Sequence, residues 1–204
     1  MSGILNRLQL SKLQSMERTD EQLVADHLGG DKLALDLLIK RYLKPLYNFT
    51  FYYLGDEGEA KDTVQESFVK MWRHLKKFDS KRKFKTWIFE IAKNTALDHL
   101  KKKKPLTFSR LSPPADDEDF NFGDNLSDDS PLQDELLEIE MTREAVLAAI
   151  ENLPPDYRAV LVLRFADQLD FQELAEVLDR PLNTVKSQYR RAVLMLKDGL
   201  DRSQ

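Results

Sequence analysis

Between Lys70 and Lys104, thirteen lysines and arginines stand against three acids, with Trp72, Phe78, Phe84, Trp87 and Phe89 interleaved. Cations neutralise phosphates and aromatic faces stack on unpaired bases, so this segment has the chemistry of a single-strand binder rather than a simple duplex clamp. A second basic stretch, Arg180 to Lys197, holds five bases and no acid. It follows a capping box, Asp170-Phe171-Gln172-Glu173, which opens a short helix with Leu174, Ala175 and Leu178 inward. Asp179 to Leu182 breaks that helix, and Asn183 or Thr184 caps a longer one. A short helix, a tight turn and a longer basic helix form the helix-turn-helix pattern, whose second helix enters the DNA major groove. With Val185, Ala192, Val193 and Leu196 as the inner stripe, Lys186, Ser187, Gln188, Arg190 and Arg191 are expected to point outward.

These basic segments sit in a chain of net charge −4, because the charges are segregated. Ala115 to Glu140 alone carries eleven acids and no base. Such asymmetry is more diagnostic than the sum. The chain has no cysteine, which excludes a disulfide framework and a thiolate metal site, and its three histidines are dispersed. There is no Gly-rich phosphate loop, no nucleophile–histidine pair and no metal-ligand cluster, so neither an enzyme nor a cofactor is expected. The longest uncharged run, Pro45 to Gly55, has 11 residues, too short to span a bilayer. With no signal-peptide pattern at the N-terminus, the expectation is a cytoplasmic protein without membrane insertion.

The elements that must position these residues form two helical blocks. Residues 1–18 read as an N-terminal extension. A first block, 19–104, opens with the capping box Thr19/Gln22, and Gly29-Gly30 stops its first helix. The second helix follows Asp31 and is expected to continue irregularly past Pro45. The third spans about Glu59 to Lys76, with Val64, Phe68, Met71, Trp72 and Leu75 inward. The fourth spans about Phe84 to Lys102; within it Trp87 shares the Ile91 stripe, which favours a core role over a stacking one. Residues 105–135 are acidic, proline-bearing and poor in apolar residues, and read as a linker. The second block, 136–204, begins with a helix holding Ile139, Val146, Ile150 and Leu153 that stops at Pro154-Pro155. Another covers Tyr157 to Ala166 and the helix-turn-helix follows. No period-2 run appears, so an all-α fold of two small helical domains is predicted.

The ordered set of motifs resembles that of the extracytoplasmic-function (ECF) sigma factors, minimal members of the sigma-70 family of bacterial transcription initiation factors. Asp62-x-x-Gln65-Glu66-x-Phe68, Trp72 and Phe84-x-Thr86-Trp87-Ile88-x-x-Ile91-Ala92-x-Asn94-x-x-x-Asp98 resemble sigma region 2. Leu153-Pro154-x-x-Tyr157-Arg158, Phe171-x-Glu173-Leu174-Ala175 and Thr184-Val185-Lys186-Ser187 resemble region 4. No room for a region 3 domain remains between them.

The resemblance implies roles by position. Asp62, Gln65, Glu66, Lys70 and Trp72 would dock on the β′ clamp helices of core RNA polymerase, with the β flap as a further polymerase contact. Phe78, Asp79, Ser80, Lys81 and Arg82 would wall the pocket for a flipped minus-ten base, with Asn94 against a base edge and Lys93, Lys101 and Lys102 on the backbone. Thr184, Lys186, Ser187, Gln188, Arg190 and Arg191 would read the minus-thirty-five element. Gln188 stands where arginine is frequent in the family, and Arg190 where an apolar residue is common, which would shift the preferred sequence. An anti-sigma factor is a further implied partner, and the linker would thread the polymerase cleft or serve as a plain tether. The competing class, a helix-turn-helix regulator that never meets polymerase, leaves Gln65-Glu66 and the aromatic basic block without a purpose.

Overall fold

The computed structural model describes residues 18–103 and 149–201, and among them every regular element is helical. The extension, the linker and the start of the second block lie outside the described residues. Helices α1 (Asp20–Leu28), α2 (Lys32–Leu54), α3 (Glu57–His74) and α4 (Phe84–Lys103) form the first block. The second contains α5 (Pro155–Leu161), a π turn (Val162–Ala166), α6 (Phe171–Leu178) and α7 (Leu182–Asp201).

Local chemistry sets most of these boundaries. Thr19 and Gln22 close the expected capping box on α1. The Asp31 side chain accepts from Leu33 N to start α2, and Asp56 accepts from Glu59 N to start α3. Gly55 ends α2 at φ 74°, a left-handed position that glycine adopts without a Cβ clash. Pro45 does not interrupt α2, which runs as one helix of 23 residues. Its buried face, Leu38, Tyr42, Leu46, Phe49 and Tyr53, continues on both sides of the proline, and that packing outweighs one missing donor.

Leu23, Leu38, Leu46, Phe49, Met71, Leu75, Ile88 and Phe89 fill the first core, each worth about 1.5–3 kcal/mol of transfer free energy. Edge-to-face aromatic pairs, Phe49–Phe89 at 5.7 Å and Tyr42–Phe84 at 5.4 Å, tie α2 to α4. Phe78 and Trp87 approach to 5.0 Å and anchor the 79–83 loop to the body of the domain, so the core role expected of Trp87 holds.

In the second block the Asp170/Glu173 capping box opens α6 as expected, and Asp179 ends it in the left-handed region at φ 54°. Helix α7 begins at Leu182, so Asn183 and Thr184 lie in its first turn rather than at its cap. An Asp156–Arg180 ion pair at 3.1 Å holds the turn to α5. The two blocks touch: α4 lies against α6, and α2 against α5 and the π turn, so their cores are continuous.

Candidate docking and nucleic-acid surfaces

Helix α3 turns Ala60, Thr63, Val64, Ser67 and Met71 into the core. The opposite face carries Asp62, Gln65, Val69 and Trp72, all exposed. Trp72 was expected inward and is instead 59% exposed; Met71 and Leu75 complete the buried stripe, and residue 72 falls a further 100° around the helix. Val69, 45% exposed, was not singled out from the sequence. Its signal was an apolar residue seven positions after Asp62 and four after Gln65, hence on their face.

Glu66, expected on the docking face, is engaged within the fold. One oxygen lies 3.0 Å from Lys70 Nζ and the other 2.9 Å from His99 Nε2. Bonding to His99 and Lys70 holds its carboxyl far below the usual range, at about 2. Lys70 in turn donates to Thr95 Oγ1 at 3.1 Å and pairs with Asp98 at 3.5 Å, so it joins α3 to α4. His99 is a second residue that sequence reasoning missed; nothing in a lone histidine on a basic helix marks it.

The loop after α3 forms an Asx turn, with Asp79 Oδ1 accepting from Lys81 N at 3.0 Å. Ser80, Lys81 and Arg82 are exposed on it, while Phe78 is half-buried against Phe84 and Trp87. Arg82 is held by Glu90 at 2.9 Å. From α1, the Glu21 side chain accepts from Phe84 N at 2.9 Å and caps the helix that follows the loop. Along α4, Asn94, Lys101 and Lys102 are exposed. The Asn94 amide makes no hydrogen bond to the described residues.

The second block covers part of this cationic surface. Lys83 pairs with Glu173 at 2.7 Å and Asp170 at 3.9 Å, and Arg82 approaches Glu176 at 3.7 Å. Lys85 donates to the Asp167 carbonyl. Asp167 itself is buried, and burial lifts its carboxyl to about 7 despite the Lys85 charge. Lys93, expected on a DNA backbone, is only 7% exposed; burial lowers its pKa, with Asp179 and Glu90 opposing the shift. In this arrangement Lys93 is unavailable to phosphates because the second block lies over its face of α4.

On α7, Ser187 is exposed, and Thr184, Lys186, Arg190 and Arg191 are half-exposed. Gln188 is a correction. It is 7% exposed, and its Oε1 is buried without a hydrogen-bond partner among the described residues. It falls three residues after Val185 and four before Ala192, in the apolar stripe with Tyr189. Lys186 lies over the Phe171 ring at 5.9 Å, and Tyr189 packs on Phe171 and Phe165. The basic helix is therefore locked onto α6 by aromatic contacts.

Sequence-family profiles match both blocks: sigma-70 region 2 over residues 38–105 and sigma-70 region 4 over residues 143–196. The chain is 34% identical over 188 residues to the ECF RNA polymerase sigma-E factor of Haemophilus influenzae, covering 89% of this chain and 95% of that protein. It is 30% identical over 185 residues to the ECF RNA polymerase sigma factor SigW of Bacillus subtilis, covering 91% and 98%. Among solved structures, CnrH in complex with the cytosolic domain of CnrY superposes with a TM-score of 0.60 at 23% identity, over 91% of this chain and 99% of that one. The sigma factor RpoE in complex with the anti-sigma factor NepR from Bartonella quintana gives 0.60 at 18% identity, over 83% and 98%. At these identities the two structures speak to the fold.

Proposed function

The chain belongs to the ECF sigma factors of the sigma-70 family, and from that premise we propose how its surfaces divide the work of transcription initiation. It is a transcription initiation factor that binds core RNA polymerase, directs it to promoters and promotes DNA opening. A helix-turn-helix regulator independent of polymerase is not favoured.

In this reading α3 is the docking helix for the β′ clamp. The observation that carries it is the exposed tryptophan at position 72, beside exposed Val69 and the polar pair Asp62 and Gln65. A large aromatic left in water on an otherwise polar face is the composition of an interface hot spot. Replacing Asp62 and Gln65 together with alanine is expected to weaken core-polymerase binding by about 1.5 kcal/mol. Neither side chain bonds to the described residues, so the melting transition should move by less than about 0.5 kcal/mol equivalent. Unchanged affinity in a core-polymerase titration would remove the assignment.

The 78–82 loop and Asn94 hold the melted minus-ten strand, Lys101 and Lys102 its backbone, and Thr184, Lys186, Ser187, Arg190 and Arg191 the minus-thirty-five duplex. A β-flap contact belongs to the region 4 block, and an anti-sigma factor, the partner of the solved neighbour RpoE, is the proposed antagonist. Because Arg82, Lys83 and Lys93 are engaged by the region 4 block, reading the minus-ten element requires the blocks to separate. An exposed ion pair is worth only about 0–1 kcal/mol, so the Arg82–Glu176 pair puts up little resistance to separation.

Arg191→Ala is expected to reduce the salt slope of minus-thirty-five duplex binding by about one, as loss of a single phosphate contact should. A slope equal to wild type together with unchanged affinity would return α7 to a plain solvated face. For the reading as a whole, the decisive experiment is co-purification with core polymerase combined with promoter-dependent run-off transcription. A protein that fails to join core polymerase would overturn it.

A further inference from the structure

His99 lies on α4 with a carboxylate against each ring nitrogen: Glu59 Oε2 is 3.1 Å from Nδ1 and Glu66 Oε2 is 2.9 Å from Nε2. A neutral imidazole has one N–H and one lone pair, so it satisfies only one of these contacts and sets the lone pair against the other carboxylate. Two acceptors on opposite nitrogens select the imidazolium, which donates to both. Both carboxylates come from α3, seven residues apart and therefore on one side of that helix. The charged groups around the ring are Glu59 and Glu66 on α3, Lys70 on the far oxygen of Glu66, and Asp98 on α4, itself paired with Lys70. Among the described residues no charged group of α1, α2 or α6 pairs with the ring.

We propose that His99 is a positioning residue for polymerase docking: as a cation it pins α3 to α4 through Glu59 and Glu66, and docking weakens as that charge is lost. This rests on the reading of α3 as the docking helix. Glu66 follows Gln65 directly, and the outward residues Asp62, Gln65, Val69 and Trp72 are presented by the turns that Glu59 and Glu66 hold down. With the ring charged, that face is preset before polymerase arrives. With the ring neutral, one carboxylate faces a lone pair, and the α3–α4 contact loosens beside Gln65.

The direction with pH follows from the two shifts. Hydrogen bonding to Glu66 and Glu59 raises the His99 pKa, so the contribution is complete below the ordinary histidine value and fades as the pH rises through the raised one. Glu66 is lowered to about 2, so its own titration lies far below and does not confound a neutral-range profile.

The test is the affinity of the full-length protein for core polymerase between about pH 6 and pH 8.5, the range in which a histidine changes charge. For wild type, affinity is expected to fall several-fold as the pH rises. His99→Gln, whose single uncharged amide nitrogen cannot reach the carboxylates on opposite sides as the imidazolium does, should bind with a flatter profile and lie below wild type at the acid end. An NMR titration of His99 should show its pKa drop on Glu66→Gln. A His99→Gln profile parallel to wild type, or a His99 pKa indifferent to Glu66→Gln, overturns the proposal. The docking reading fails separately: it falls if Asp62→Ala/Gln65→Ala leaves core affinity unchanged, whereas weakened binding in that variant with a wild-type profile in His99→Gln removes only the role of His99.

Discussion

Trp72→Ala is expected to cost core-polymerase binding about 2–4 kcal/mol while changing the stability of the free protein by no more than about 0.5 kcal/mol. The asymmetry follows from where the ring sits. At 59% exposure it contributes little burial to the free fold, so its removal takes little from the core. In a complex the same ring becomes the largest apolar area that α3 can bury, with Val69 three residues before it on the same face. The chain has two tryptophans, and the other, Trp87, is half-buried against Phe78 and Phe84. Intrinsic fluorescence therefore separates them: wild type should shift to the blue on binding core polymerase, and Trp72→Ala should lose that shift along with affinity. An unchanged Kd would sink the assignment. So would a weakened one accompanied by a matching fall in melting temperature, because then the ring supports the fold and not the interface.

The position of Trp72 also shows what a sequence can and cannot carry. Capping chemistry is local, so Thr19 with Gln22 and Asp170 with Glu173 announce their helices, and the structure forms both boxes. Apolar periodicity is local too, and it finds Val64, Met71 and Leu75 correctly. It fails at the edge of a stripe, where one residue is a 100° step; an aromatic type at position 72 suggested burial that its angle does not provide. At Gln188 the error runs the other way. Taking Val185, Ala192, Val193 and Leu196 as the inner stripe put Gln188 outward, whereas its spacing of three from Val185 and four from Ala192 carries it inward beside Tyr189. The pairing of Lys83 with Glu173 spans 90 residues and left no local trace. His99 was illegible for the same reason: its partners lie 33 and 40 residues away, and only the packing of α3 on α4 brings them to the two nitrogens of one ring. The acidic linker, read as a thread through the polymerase cleft or a plain tether, lies outside the described residues; among those described, α6 and the loop before it supply Asp170, Glu173 and Glu176 to the basic surface.

Asn94→Ala is expected to slow open-complex formation on a duplex promoter by an amount matching about 1–3 kcal/mol, the worth of one bidentate pair with a base edge. The side chain is a neutral amide among cations, so its loss removes hydrogen bonds and no phosphate neutralisation. It is exposed and bonds to none of the described residues, so it is free to pair with an unstacked base and its removal leaves no orphaned partner in the fold. Melting temperature and core-polymerase affinity should therefore match wild type. Lys93, one residue away, lies under the region 4 block, which makes the comparison informative. Lys93→Ala acts on the arrangement of the two blocks as well as on DNA, whereas Asn94→Ala acts on DNA alone. A pre-melted minus-ten bubble should restore only the part of the Asn94→Ala defect that comes from opening, and discrimination against wrong bases inside that bubble should remain reduced. Permanganate footprinting of the bubble beside a thermal melt reads both quantities. Wild-type opening with wild-type base preference would remove Asn94 from the reading surface, and the recognition of the melted strand would then fall to the loop carrying Ser80, Lys81 and Arg82.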